Sequence, residues 1–297
     1  MRAKDGGNLG AGGGMTASNV PLAVQRARLL KEVPPFRPVA VQLLNLVSDL
    51  SQPLARVVSL LRTDAVLTAE VLRLANSPLL GCRCEIRNVL QALAFLGMER
   101  VNSLIVTTAM RGLAGPFSRN LARSCWRHNL ATAVICERLA PSMRISQERG
   151  YMSGLIHDIG RLALLRAFPD YEAALTEAAA EGKNLLAVEK DLYGMDHTEA
   201  GRWLLAQWGC PLDLQTVASL HENPAAASGR DRDLVCLVGA SSQLADLMNF
   251  CDFAGAPKSD LAKVTEMLPE VSRHLADLPA LSEWVATRVN GVELSLS

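Results

Sequence analysis

Four of the five histidines in this 297-residue chain, His128, His157, His197 and His221, fall in one segment, and His157 is followed directly by Asp158. Imidazole and carboxylate are the side chains that gather on a divalent cation, so His157-Asp158 is the natural centre of a site. On a continuous helix adjacent side chains diverge by about 100°, and a cation lying between the two directions can accept both. The other three imidazoles would have to arrive from neighbouring helices. The candidate metal ligands are therefore His128, His157, Asp158, His197 and His221. His274 stands alone in the tail.

Each residue also has a purely structural explanation. Asp158 can pair with Arg161 three positions on, a surface contact worth about a few tenths of a kcal/mol. His128, beside Trp126 and Arg127, can be a half-buried core histidine. His197 follows the presumed cap Asp196 and can be an exposed first-turn residue, and His221 can be a favourable cation near a helix C-terminus. A shared pocket is what separates the two readings.

The elements that would position these residues are helical throughout. Apolar residues recur at intervals of three and four: Val41, Leu44 and Val47 in one stretch, Val58 and Leu61 in the next. Asp64 can cap a helix whose stripe is Leu67, Val71 and Leu74, with Ser77-Pro78 ending it. A further helix runs through Val89, Ala92, Leu93 and Leu96 to a stop at Gly97. Beyond the Gly115-Pro116 break the pattern predicts helices near 119–140, 147–167, 170–181, 184–192, 196–208, 211–221 and 231–249. Asp196 with Glu199 fits a capping box, and Gly209 with Pro211 fits a stop and restart. The tail reads as helices around Leu261 to Leu275 and Leu281 to Val289. No alternating strand pattern or fixed-period repeat is found.

The domain reading is a Gly-rich tail over 1–18, an N-terminal helical subdomain over 19–114, a second helical subdomain over 115–252 and a helical tail over 253–297. The glycines between 5 and 14 follow no strand, which argues against a phosphate-cradling loop. Met1 and Met15 both stand as candidate starts.

Hydrophobic residues make up 49% of the chain and aromatic ones 4%, so Leu, Ala and Val must build the core. Thirty basic and thirty acidic residues cancel, which gives no general attraction to nucleic acid or to an anionic membrane. The seven cysteines lack paired spacing and read as reduced thiols of a cytoplasmic protein. Cys82-Arg83-Cys84 cannot complete a tetrahedral site by itself. The first residues have no apolar h-region, and no apolar run is long enough to span a bilayer.

At the level of motifs the chain resembles the HDOD family, a degenerate branch of the HD phosphohydrolases. Gly154-Leu155-Ile156-His157-Asp158-Ile159-Gly160-Arg161-Leu162 looks like the HD signature, and Trp126-Arg127-His128-Asn129-Leu130-Ala131 looks like the helix carrying the first histidine. Asp64 to Ser77, Val89 to Gly97 and Asp196 to Gly209 look like HDOD segments, so the resemblance covers roughly 30 to 250. It implies an all-α fold with an N-terminal helical subdomain packed on an HD-like bundle.

In active HD phosphohydrolases, the resemblance implies, a histidine, the His-Asp pair and a later aspartate hold a metal that activates water. His128, His157 and Asp158 match the first three. Ser241 aligns with the aspartate, and Asp246 lies more than a turn away, too far to replace it. His197 and His221 correspond to extra histidines of the two-metal cyclic-dinucleotide branch. That branch's double histidine and Gly-Tyr-Pro motif are missing, and Arg161 replaces its lysine. The expectation is a non-catalytic regulatory output domain with no catalytic residue, working through protein partners. A divalent ion such as iron, manganese, zinc or nickel, or a small nucleotide or anion, is a further expected ligand, and membrane and nucleic acid are not expected partners. The alternative is a metal-dependent phosphohydrolase or phosphodiesterase acting on a nucleotide.

Overall fold

The computed structural model describes residues 21–36, 38–47, 54–77, 85–114, 120–253, 260–269, 275 and 277–296. The Gly-rich start, Cys82-Arg83-Cys84, Gly115-Pro116 and His274 lie outside the described residues.

The described elements are α-helices joined by short turns, with no strand among the described residues. In chain order they are α1 Leu22–Glu32, α2 Pro38–Val47, α3 Leu54–Leu61, α4 Ala65–Ala75, α5 Val89–Leu96, α6 Met98–Ala114, α7 Asn120–Leu139 and α8 Gln147–Ile156. There follow α9 Ile159–Ala167, α10 Tyr171–Ala180, α11 Leu185–Tyr193, α12 His197–Gln207, α13 Leu212–Leu220, α14 Arg232–Leu247, α15 Leu261–Met267 and α16 Leu278–Leu296. Local chemistry sets many of the starts. Asp64 accepts the Val66 and Leu67 N–H groups at 3.0 and 3.1 Å, and Ser146 caps α8 through Arg149. Asp196 and Glu199 form the expected capping box at the start of α12. Such caps satisfy backbone donors that no helical carbonyl can reach.

Two apolar cores result. Leu43, Leu61, Leu67, Val71, Leu93 and Ile105 build one. Trp126, Leu130, Ile135, Leu155, Leu164 and Val235 belong to the other. Helix α6 serves both, giving Val101 and Ile105 to the first and Val106 and Met110 to the second. Helix α1 packs on the second core through Leu29, and Phe36 beyond it meets Trp208 at a ring distance of 4.9 Å. The C-terminal α16 is tied to α7, where Arg127 donates to Asn290 at 3.1 Å and pairs with Glu293.

One expected helix is broken. The single helix over 147–167 is α8 and α9, because His157 closes α8 and Asp158 leaves helical geometry at φ −106°, ψ 29°. Two glycines make the bend workable by allowing backbone to touch backbone. A Cβ on Gly154 would lie 2.8 Å from Ala133 Cα of α7, and one on Gly160 would lie 1.9 Å from the His197 carbonyl of α12. The His-Asp dipeptide is thus a corner pressed against α7 on one side and α12 on the other.

Gly112 has the opposite setting. It is exposed on α6, and an added Cβ would meet nothing within 4 Å. Gly112→Ala should therefore stabilise the protein by about 0.5–1 kcal/mol, since alanine loses less backbone freedom on folding. A raised urea midpoint at unchanged slope is the expected reading; no rise would contradict it.

Among the described residues no single helix is long and apolar enough to cross a membrane.

Candidate metal centre

Helices α7, α8, α9, α11, α12, α13 and α14 and the loop after α14 converge on the corner. His128 comes from the middle of α7, His157 and Asp158 from the α8–α9 turn, His197 from the first turn of α12 and His221 from the C-cap of α13. Each of the five is buried. The rings run in series: His128 to His157 at 5.3 Å, His157 to His221 at 4.9 Å and His221 to His197 at 5.5 Å. The five residues singled out from the sequence therefore come together: His128, His157, Asp158 and His221 line one cavity, and His197 adjoins them with its ring 5.5 Å from that of His221. The structural alternatives need correction: His197 is not exposed, and Asp158–Arg161 is a buried pair rather than a surface contact.

Hydrogen bonds orient the rings, because the group bonded to one nitrogen fixes what the other can do. Nδ1–H donates to the Gly154 carbonyl at 2.6 Å in His157, to the Ala218 carbonyl at 3.1 Å in His221 and to the Phe250 carbonyl at 2.8 Å in His128. His197 Nδ1–H donates to Glu189 at 2.7 Å. In every case Nε2 is the nitrogen left for other partners. Burial, reinforced by the neighbouring imidazoles, pushes the pKa of His157 well below its ordinary value. Burial also lowers His221, so it is not the helix-terminal cation considered from sequence. Both rings are neutral, with an Nε2 lone pair.

His128 is different. Burial disfavours its charge, but Asp252 and Asp246 outweigh that and raise its pKa to about 10. Positive charge is favoured at its Nε2, which lies 3.1 Å from Ser242 Oγ. A proton or a metal ion can supply that charge.

Arg161 fills the acidic end. Its Nε donates to Asp158 Oδ2 at 2.6 Å and lies 3.0 Å from Asp252 Oδ2. Glu189 and Glu222 stand 3.6 and 3.7 Å from its terminal nitrogens, and Nη2 donates to His197 Nε2 at 3.2 Å. Burial and Arg161 oppose a charge on His197, while Glu189 and Asp158 pull toward a pKa of about 10. The guanidinium contact decides between them: it needs a lone pair on Nε2, so the ring is neutral.

The sequence reading of the last carboxylate also needs correction. Ser241 points beneath α14 beside Cys136, and the cavity is lined by its neighbour Ser242 and by Asp246. Asp246, judged too distant, has Oδ1 3.4 Å from His128 Nδ1. The loop after α14 adds Asp252. The corner expected to be vacant is therefore acidic. Adjacent helix positions differ by about 100°, so an alignment error of one residue moves a side chain off the site. Glu189, Glu222 and Asp252 went unrecognised as well; the only available signal was that Glu222 adjoins His221.

The cavity has a volume of about 150 Å³, and its lining includes His128, His157, Asp158, Arg161, His221 and Asp252. Asp158 Oδ1, Asp252 Oδ1 and Arg161 Nη1 are buried without a hydrogen-bond partner among the described residues. Asp158, His197 and His221 present ligand atoms within 4.8 Å of one another. Nitrogen lone pairs beside orphaned carboxylate oxygens fit a divalent transition ion.

The sequence matches the HDOD domain pattern over residues 33–224, more than half of the chain. Ser242, Asp246 and Asp252 lie beyond that stretch. A curated relative, an uncharacterized protein of Treponema pallidum (strain Nichols), is 22% identical over 221 residues, which are 73% of this chain and 43% of the relative. The chain thus spans less than half the length of that relative. An HDOD domain protein of unknown function from Geobacter sulfurreducens superposes with a TM-score of 0.67 at 21% identity, covering 93% of this chain and 97% of the other. A candidate phosphohydrolase from Shewanella amazonensis SB2B gives a TM-score of 0.67 at 24% identity, covering 92% and 98%. A candidate signal transduction protein from Marinobacter aquaeolei VT8 gives 0.67 at 19% identity, covering 92% and 68%. At these identities the likeness is one of fold.

Proposed function

Because the chain belongs to the HDOD family, we propose that it is a non-catalytic signal-transduction output domain that acts by presenting its helical surface to protein partners. The observation that carries this reading is the size and filling of the cavity. About 150 Å³, with Arg161 already bonded to Asp158 and His197, accommodates an ion and its waters. Ligand pockets that enclose a drug-sized molecule run to about 300–1,000 Å³. A small anion or nucleotide phosphate would therefore act at the mouth of the cavity, as a modulator.

A divalent ion would be held by Nε2 of His128, His157 and His221 and by Asp158 Oδ1. Bound there, it would supply positive charge that fastens α7, the α8–α9 corner and α13 together. The test is incubation with a generic phosphodiester and a panel of nucleotides in Mn²⁺ or Ni²⁺. We expect no turnover. Hydrolysis that His157→Ala abolishes would overturn the proposal.

A metal-dependent phosphohydrolase acting on a nucleotide is the second reading, favoured by the lone pairs of His157 and His221 facing the same cavity as Asp252. A metal there would polarise a phosphoryl oxygen and lower the pKa of bound water. His157 and His221 would orient it, and Arg161 would meet anionic charge. The same assay decides between the two.

A further inference from the structure

We propose that the Arg161 guanidinium is a tethered cation that occupies one half of the metal centre, keeping His197 out of the coordination shell and limiting the centre to one divalent ion. The inference rests on the reading of the cavity as a metal centre and adds its stoichiometry and the residue that sets it.

The centre has two ends. At one end Oδ1 of Asp158 is buried without a hydrogen-bond partner among the described residues, the Nδ1 bonds of His157 to Gly154 and of His221 to Ala218 turn each Nε2 toward other partners, and His128 Nε2 meets the Ser242 hydroxyl at 3.1 Å. At the other end, Asp158, His197 and His221 would suit an ion by spacing alone, since their ligand atoms lie within 4.8 Å of one another. Yet the Arg161 side chain, itself buried, places Nη2 on His197 Nε2 at 3.2 Å and Nε on Asp158 Oδ2 at 2.6 Å. A guanidinium does not give up its charge in a protein, and a cation coordinated by the same nitrogen would have to displace it.

The charges agree with one ion beside one arginine. Four carboxylates, Asp158, Asp252, Glu189 and Glu222, come within 3.7 Å of the guanidinium. One guanidinium cannot neutralise four carboxylates, so negative charge remains for a further cation at the open end. His197 instead links Glu189, through Nδ1–H, to Arg161, through Nε2. It is a positioning residue for the arginine.

The experiment is equilibrium dialysis of the full chain against saturating Mn²⁺, an ion less drawn to the free cysteines than zinc is, with bound metal counted by elemental analysis. The expected ratios are one ion per chain for the wild type, none for His221→Gln, one for His197→Gln and two for Arg161→Gln. His197→Gln keeps an amide donor toward Glu189, so it decides the matter even if Arg161→Gln does not fold. Loss of the ion in His197→Gln would overturn the proposal, as would a folded Arg161→Gln that still binds one. A wild type that binds no Mn²⁺ overturns the underlying metal reading, a separate failure recognised before any variant is measured.

Discussion

Gly160→Ala should lower stability by about 3 kcal/mol, the upper end of what overpacking a closed interior costs. The new Cβ would stand 1.9 Å from the His197 carbonyl and 2.6 Å from the Gly201 amide. Both are backbone atoms, so no rotamer change relieves the clash and α9 must withdraw from α12. That withdrawal would part Arg161 and Asp158 from His197. At about 2–4 °C per kcal/mol the melting temperature should fall by roughly 6–12 °C. Gly201→Ala is the control across the same crossing. Its Cβ meets its nearest atom at 3.2 Å, and the loss should be clearly smaller. Equal losses would show that the crossing tolerates a side chain and that the corner is not held as described.

Glu189→Gln is the second large effect. The Glu189 carboxylate is fully buried and accepts from the Tyr171 hydroxyl, from the His197 backbone N–H at 2.8 Å and from the His197 ring at 2.7 Å. An amide in its place can keep its oxygen on His197 and turn its NH2 to the Tyr171 hydroxyl, but it removes the buried counter-charge of Arg161. Breaking such a buried arrangement costs about 3 kcal/mol or more at neutral pH. Burial alone would raise the Glu189 pKa, but the hydrogen bonds from His197 and Tyr171 and the charge of Arg161 reverse this and hold it below the ordinary carboxylate value. A folded value below the ordinary one means that the stabilisation is complete above the ordinary carboxylate range and is lost as pH falls through the lowered value. Urea midpoints measured from about pH 5 downward should therefore fall more steeply for the wild type than for Glu189→Gln. Parallel curves would mean that this carboxylate is not the linked group.

The helices were readable because local signals coincide with apolar spacing. Asp64, Asp196 with Glu199, Gly97 and Gly209 each mark a terminus that the structure keeps. The residues that gather at the corner were readable because so few histidines exist and one adjoins an aspartate within a recognisable motif. The break at His157-Asp158 was hidden by the apolar run that continues through Leu155, Ile156, Ile159 and Leu162, which suits one helix as well as two. What ends α8 is tertiary: backbone contact with α7 at Gly154 and with α12 at Gly160. Glu189 looked like a surface charge, since its eight-residue distance from His197 has meaning only once α11 turns back on α12. Asp252 sits in a loop whose path no periodicity describes. The carboxylate expected from α14 was sought one position away from the side that faces the cavity.

An anomalous difference map from a crystal soaked in Mn²⁺ puts the metal centre and its arginine to a single decisive trial. A lone peak bonded to Nε2 of His157 and His221, with Arg161 still on Asp158 and His197, is the predicted result. A peak bonded to His197 with Arg161 displaced, or no peak anywhere in the cavity, would contradict it.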